Sequence, residues 1–278
     1  MQNMTAPKIE RPITTYVVAM ALTAALYAVA KGLTSFALTP FGVGQLLIFI
    51  FVPAFFAVVS PTLAVAIGAG LGTFLGDVFF LTPAGSTNPA LSLVAGVPAN
   101  FVAFFLFGWF VKRYRSWPAF VAATVSFVTL GNLIAATSLV LFGAALFTPV
   151  NYLITNFTPP ALILGFTVFW TSTMIPAIII MVPILVRAVR PLQGRSPIIT
   201  DYPSWSGGAM KSQLITSVIF GLIFLALGVL FFAASPSTLG LFPGVTTYFV
   251  VTVASVIIIG PLAGAIAGTK LVGKQASK

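Results

Sequence analysis

The chain has 278 residues, of which 59% are hydrophobic and only 6% are charged. A soluble domain carries roughly 25% charged residues, so this composition and a mean hydropathy of +1.12 exclude a water-soluble fold. The 13 Lys and Arg residues outnumber the 3 acids. We attribute that excess to the cytoplasmic loops of a membrane protein rather than to nucleic-acid binding. The sequence therefore predicts an integral protein of the lipid bilayer with no nucleic-acid partner.

The residue types that are missing exclude several kinds of chemistry. The chain has no Cys and no His, which excludes disulfides, Cys/His zinc sites, haem ligation by these residues and a Ser-His-Asp triad. The acids are Glu10, Asp77 and Asp201, and no P-loop sequence is present. A membrane-embedded enzyme would have only Asp77, Tyr or Ser for acid–base work. We therefore expect no catalytic residue, no metal and no cofactor, and a protein that is not an enzyme.

Eight continuous apolar segments predict an all-α, polytopic membrane protein, because about 20 apolar residues span a bilayer. They are 13–30, 45–59, 62–81, 91–111, 117–147, 160–186, 212–234 and 245–269. Prolines punctuate the connections between them. A polar linker at 191–211 divides the chain into a six-helix domain, 1–190, and a two-helix hairpin with a basic tail, 212–278.

The basic residues predict the orientation of the chain. With eight spans, Lys31 alone falls on one side of the membrane and the other 12 basic residues fall on the opposite side. The positive-inside rule then places both termini in the cytoplasm. We expect the protein to lie in the plasma (cell) membrane. Residues 1–30 resemble a signal peptide, but their apolar stretch is longer than an h-region of 7–15 residues, so we expect them to be retained.

Small residues repeat every four positions on three predicted helices, which allows close approach of a neighbouring backbone. The repeats are Ala64, Gly68, Gly72 and Gly76, then Gly260, Gly264 and Gly268, and on the first helix Ala21 and Ala25. Such stripes form either helix contacts within the chain or a docking face for a partner.

Asp77 is the only acidic residue predicted outside the cytoplasmic side, and Lys31 is the only basic residue predicted there. An ionised Asp inside a bilayer usually faces the bundle and finds a partner. Two interpretations stay open. In the first, Asp77 forms a structural ion pair with Lys31 or caps backbone donors, and in the second it is a ligand or proton site.

Uncharged polar side chains concentrate in the outer half, including Gln45 in the first outer loop. Helix–helix hydrogen bonds explain some of them, and a pocket for a neutral, aromatic or hydrogen-bonding small molecule explains others. The predicted substrate-binding residues are Lys31, Asp77, Asn88, Asn100, Asn132, Tyr152 and Trp170.

The run from Ala66 to Asp77, with Gly68, Gly72 and Gly76, resembles the Gly-x-x-x-Gly-Asp helix of substrate-binding (S) components of energy-coupling-factor (ECF) transporters. The alanine-rich run Ala21–Ala28 is similar to the first helix of that family, and the resemblance covers about 13–190. It implies capture of a vitamin-like micronutrient near the outer surface. It also implies docking of Ala21 and Ala25 on a transmembrane (T) component, with separate ATPase subunits supplying energy.

Two other functions remain open from the residues alone. A stand-alone carrier or channel would use Asp77 as a proton or cation site, and a structural membrane subunit would use only the small-residue stripes. Reconstitution in liposomes distinguishes a stand-alone carrier from a capture subunit, because a carrier moves substrate without ATPases.

Overall fold

The computed structural model describes residues 12–34, 39, 43–80 and 88–203. Within these ranges the regular secondary structure is helical, and the helices in chain order are α1 (Ile13–Gly32), α2 (Phe51–Val59), α3 (Thr62–Phe79), α4 (Pro89–Tyr114), α5 (Trp117–Leu146), α6 (Thr148–Asn156) and α7 (Pro159–Ala188). The predicted spans 212–234 and 245–269, with Gly260, Gly264 and Gly268, lie outside the described residues.

In the part of the chain that the structure describes, five helices are long and apolar enough to cross a membrane, namely α1, α3, α4, α5 and α7, with lengths of 18 to 30 residues. They correspond to the predicted spans 13–30, 62–81, 91–111, 117–147 and 160–186. Large apolar side chains are exposed on their outer surfaces, for example Leu141 at 67% and Leu164 at 53%. A soluble monomer rarely exposes so much apolar surface, whereas lipid would cover it.

The predicted span 45–59 is helical over only part of its length. Only a 3-residue 3₁₀ turn, Ile48–Ile50, and the 9-residue helix α2 are helical there. At 1.5 Å per residue this piece is far shorter than a bilayer core of about 30 Å. The preceding loop is non-helical because Gly44 adopts φ +75°, and Thr39 closes the loop by donating from its backbone N–H to Gly44 O over 3.1 Å.

Prolines begin most of these helices, as the sequence pattern indicates. Pro89 and Pro159 occupy the first position of α4 and α7, and Pro118 and Pro149 lie in the first turn of α5 and α6. The first N–H groups of a helix have no partner within it, so a proline there costs no hydrogen bond.

Tight turns at 60–61 and 115–116 connect α2 to α3 and α4 to α5, and the bundle has two ends. The Lys31 end carries the end of α1, the 43–50 loop, Asn88 and α6. The Lys112 end carries the α2–α3 turn, the α4–α5 turn and the segment that follows α7.

The glycine stripe of α3 packs against α1 within the chain. A Cβ atom at Gly68 would lie 2.6 Å from Met20 O, and one at Gly72 would lie 2.8 Å from Ala24 O. These are backbone atoms that cannot rotate away, so only glycine permits the observed approach. Ala21 and Ala25 lie on the opposite, exposed face of α1.

Helix α4 contains one wide π-helical segment, Ser92–Gly96, in which Val97 N–H bonds to Ser92 O instead of Leu93 O. Pro98 explains it, because proline has no N–H for the carbonyl of Val94 and its ring would clash with that carbonyl in a regular α-helix. The wider turn relieves both problems, and π-helical segments are common at functional sites.

At the Lys112 end, the chain after α7 is tied back onto the bundle. Val59 O accepts the backbone N–H groups of Thr200 and Asp201 over 2.8 and 3.1 Å, and Ser60 Oγ donates to Ile198 O over 2.8 Å. Lys112 Nζ donates to Ser60 O and lies 3.6 Å from Asp201 Oδ2. The described part of the predicted linker, 191–203, is therefore held in place up to its last residues.

Candidate functional site

A cavity of about 110 Å³ lies inside the bundle towards the Lys31 end. A cavity needs roughly 10–15 Å³ to hold one water molecule, so this space can hold several waters or a small molecule. Residues of α1, α3, α4, α5, α7 and the 43–50 loop surround it, and most of them are apolar, including Leu91, Phe104, Leu139 and Met174. An apolar cavity with a few polar groups is the usual form of a small-molecule site.

Six of the seven predicted binding residues line this cavity: Lys31, Asp77, Asn88, Asn100, Asn132 and Trp170. They come from α1, α3, α5, α7 and two places on or beside α4. The sequence did not single out Thr73 and Ser92, which also line it. A four-residue spacing from Asp77 is the signal that could have identified Thr73, because residues i and i+4 share a helix face.

Tyr152 is not among the residues that line this cavity. It lies on α6 and is 56% exposed, whereas Val150 and Leu153 on the same helix are buried. Since these two residues direct one face of α6 inward, Tyr152 points away from the bundle. Its backbone carbonyl accepts hydrogen bonds from Thr155 Oγ1 and Asn156 Nδ2.

Lys31 and Asp77 form the predicted ion pair, with 2.5 Å between Lys31 Nζ and Asp77 Oδ2. The two residues are only 4% and 5% exposed. Lys31 Nζ also donates to Thr73 O over 3.2 Å. Each charge has lost its hydration, so each depends on the other and on nearby polar groups for stabilisation.

Asn100 connects α4 to α3 beside this pair. Its Nδ2 donates to Thr73 Oγ1 over 2.8 Å and to Gly96 O, in the π-helical segment, over 3.0 Å. Thr73 Oγ1 in turn donates to Ala69 O over 2.9 Å. This chain of bonds fixes the amide of Asn100 at the edge of the cavity.

The opposite side of the cavity is fixed by two further contacts. Asn132 Nδ2 on α5 donates to Thr171 Oγ1 on α7 over 3.0 Å, and the Trp170 indole N–H donates to Gln45 O over 3.2 Å. A Cβ atom at Gly44 would lie 3.0 Å from the Trp170 ring. Glycine therefore lets the 43–50 loop lie directly against the indole.

Three buried polar atoms around the cavity have no hydrogen-bond partner among the described residues: Gln45 Oε1, Asp77 Oδ1 and Ser92 Oγ. Their residues are 4%, 5% and 7% exposed. Leaving such a group unpaired costs roughly 1–3 kcal/mol. All three belong to residues that line the cavity.

Comparisons of the chain with protein-family models, with curated proteins and with solved structures found no match. The described residues also hold no cluster of three or more His, Cys, Asp or Glu that could bind a metal ion. The fold and the site define a class: over its described residues the protein is a helical bundle with five membrane-length helices and a cavity lined by a buried ion pair.

Proposed function

We propose that this protein is a membrane-embedded subunit that captures a vitamin-like or other small micronutrient for uptake. One observation carries the proposal: six residues chosen from the sequence, far apart along the chain, line one cavity. Helix–helix hydrogen bonding alone would not require these residues to meet at a common space.

In this proposal, energy comes from separate transmembrane and ATPase subunits, as the resemblance to ECF S components implies. The exposed face of α1 supports such an assembly. It places Ala21 and Ala25 beside Leu22 and Leu26, which are 37% and 48% exposed. Two small residues between larger apolar ones give a shallow groove in which a partner helix can pack closely.

Native mass spectrometry tests whether a small molecule is captured. We expect a compound of defined mass to remain bound to the purified wild-type protein, and the Ala135→Phe variant to lose it. Ala135 lines the cavity from α5, so a phenyl ring there fills the space. Ala122→Phe is the matched control, because Ala122 is exposed on the same helix. A compound that stays bound to Ala135→Phe as well as to wild type would contradict the proposed location.

A stand-alone carrier is the second candidate, with Asp77 as its proton or cation site. It is favoured by Asp77, which lines the cavity and whose Oδ1 has no hydrogen-bond partner among the described residues. An uptake assay in liposomes that contain this protein alone distinguishes a carrier from a capture subunit. Uptake of the co-purified compound driven by a proton or sodium gradient would establish the carrier and contradict the capture subunit.

Cysteine labelling tests the proposed plasma-membrane orientation, and it is clean because the chain has no native Cys. Tyr114 and Tyr152 are both more than half exposed and lie at the Lys112 and Lys31 ends. We expect a membrane-impermeant maleimide applied to intact cells to label Tyr152→Cys and to spare Tyr114→Cys and Ser277→Cys. Labelling of Ser277→Cys but not Tyr114→Cys would place the carboxyl terminus outside and contradict an even number of spans.

A further inference from the structure

We infer that helix α4 binds an anionic phospholipid along its outward face, towards the Lys112 end. The site consists of four side chains at four-residue intervals, Phe101, Phe105, Trp109 and Arg113, which we call the α4 stripe. Arg113 binds the lipid phosphate, Trp109 lies at the level of the glycerol esters, and the two phenyl rings contact an acyl chain. The site is separate from the cavity and does not depend on the capture function proposed above.

The four residues of the α4 stripe share one face of the helix, because residues i and i+4 are neighbours on a helix surface. That face points away from the bundle, since Phe105 and Trp109 are 38% and 52% exposed and Arg113 is also exposed. The rings of Phe101 and Phe105 are stacked with their centroids 6.1 Å apart. The stripe is therefore a continuous apolar surface that ends in a cation.

The α4 stripe is about as long as one lipid leaflet is thick. The helix rises about 18 Å from Phe101 to Arg113, and half of a bilayer core measures about 15 Å. Arg113 is the last residue but one of α4, which is long and apolar enough to cross a membrane. With the phenyl rings among the acyl chains, Arg113 reaches the headgroups and Trp109 lies at the interface, where Trp is enriched in membrane proteins.

The charge at the Lys112 end favours an anionic partner. Asp201 is the acid described at that end, and it lies 3.6 Å from Lys112 and 3.7 Å from Arg115. Arg113 takes part in none of the ion pairs among the described residues. The basic residues described at this end are Lys112, Arg113, Arg115, Arg187, Arg190 and Arg195. A guanidinium forms paired hydrogen bonds with phosphate oxygens, so a phosphate group complements Arg113.

The apolar part of the α4 stripe favours a lipid over a free phosphate ion. An exposed ion pair contributes little in water, so Arg113 alone would bind a free phosphate weakly. A phospholipid also covers the exposed rings of Phe105 and Trp109, which adds the contribution of apolar burial. A zwitterionic lipid carries its own cation beside the phosphate, and the basic residues of this end repel that cation. An anionic phospholipid meets both requirements.

Lipid titration followed by native mass spectrometry tests the inference on the delipidated full-length protein. The probes are dioleoyl phosphatidylglycerol, which is anionic, and dioleoyl phosphatidylcholine, which has the same acyl chains and no net charge. We expect the wild-type protein to bind the first phosphatidylglycerol molecule at least about fivefold more tightly than phosphatidylcholine, the effect of one basic residue near a membrane surface. Inorganic phosphate should not displace the bound lipid, because it lacks the acyl chains.

The variant Arg113→Gln removes the phosphate partner from the α4 stripe. We expect it to weaken binding of phosphatidylglycerol about fivefold and to leave binding of phosphatidylcholine unchanged. Arg195→Gln is the matched control, because it removes the same charge at the same end from an exposed residue after α7. Solvent and salt screen that charge, so its effect should stay below about twofold. Trp109→Ala should weaken binding of both lipids, since both use the ring.

Equal binding of the two lipids by wild type, or displacement of the lipid by inorganic phosphate, overturns the inference. So does an Arg113→Gln variant that binds phosphatidylglycerol as wild type does. An equal loss of affinity in Arg113→Gln and Arg195→Gln also overturns it, because the lipid would then respond to the overall positive charge and not to the α4 stripe. The wild-type comparison of the two lipids decides the matter even if a variant does not fold.

Discussion

Asp77→Asn should lower the free energy of unfolding by about 3–5 kcal/mol, because it leaves the Lys31 ammonium buried without its counter-charge. Both side chains are almost completely buried, and the pair is 2.5 Å apart, so little solvent is present to screen the remaining charge. Lys31→Met should have an effect of similar size, since it strands the carboxylate instead. Unfolding in detergent micelles, followed by circular dichroism, measures both.

The double variant Lys31→Met/Asp77→Asn separates pairing from simple damage to the core. Removing both charges eliminates the uncompensated ion, so we expect most of the lost stability to return. Lys112→Met is the comparison at the other end and should cost less than Lys31→Met, because Asp201 is 3.6 Å from Lys112 Nζ and both side chains are 16–17% exposed. A double variant as unstable as the sum of the two single ones would show that the pair contributes no coupling.

Gly72→Val should separate α1 from α3 and cost about 1–3 kcal/mol, towards the upper end of that range. The new Cβ would lie 2.8 Å from Ala24 O and 3.1 Å from the Tyr27 side chain. The carbonyl belongs to the helix backbone, so relief requires a shift of α1 itself. The same unfolding measurement reports the effect, and Gly72→Ala should show a smaller loss.

Leu71→Val is the matched control for Gly72→Val. It places the same side chain one position away on α3, where Leu71 is 42% exposed on the outer surface. We expect a change within about 0.5 kcal/mol. If Gly72→Val melted at the wild-type temperature, the close contact between α1 and α3 would be wrong.

The positions of the membrane-length helices could be predicted from the sequence, because the length of an apolar run and the prolines at its ends determine them. The predicted span 45–59 begins before the helical residues, which start at Ile48. Hydropathy does not show which residues of an apolar run are helical. There, Gly44 adopts a positive φ and the loop turns towards Trp170. The π-helical segment before Pro98 was also missed, although that proline is visible in the sequence.

Some of the residues that line the cavity could be predicted from the sequence, because a polar residue within an apolar run avoids lipid. Asp77 and Asn132 are polar residues in apolar runs, so burial obliges them to face the interior, and both line the cavity. Tyr152 lies on a short amphipathic helix at the end of the bundle, where exposure has no penalty, and it points outward. The sequence does not show that Gln45 Oε1 lacks a hydrogen-bond partner among the described residues, because that depends on the three-dimensional structure.

The attachment of the chain to Val59 and Ser60 fixes where the segment after α7 lies. The hydrogen bonds of Ile198, Thr200 and Asp201 hold that segment against the end of α2. Two parts of the chain that are far apart in sequence, the end of α2 and the segment after α7, therefore form the Lys112 end of the bundle together.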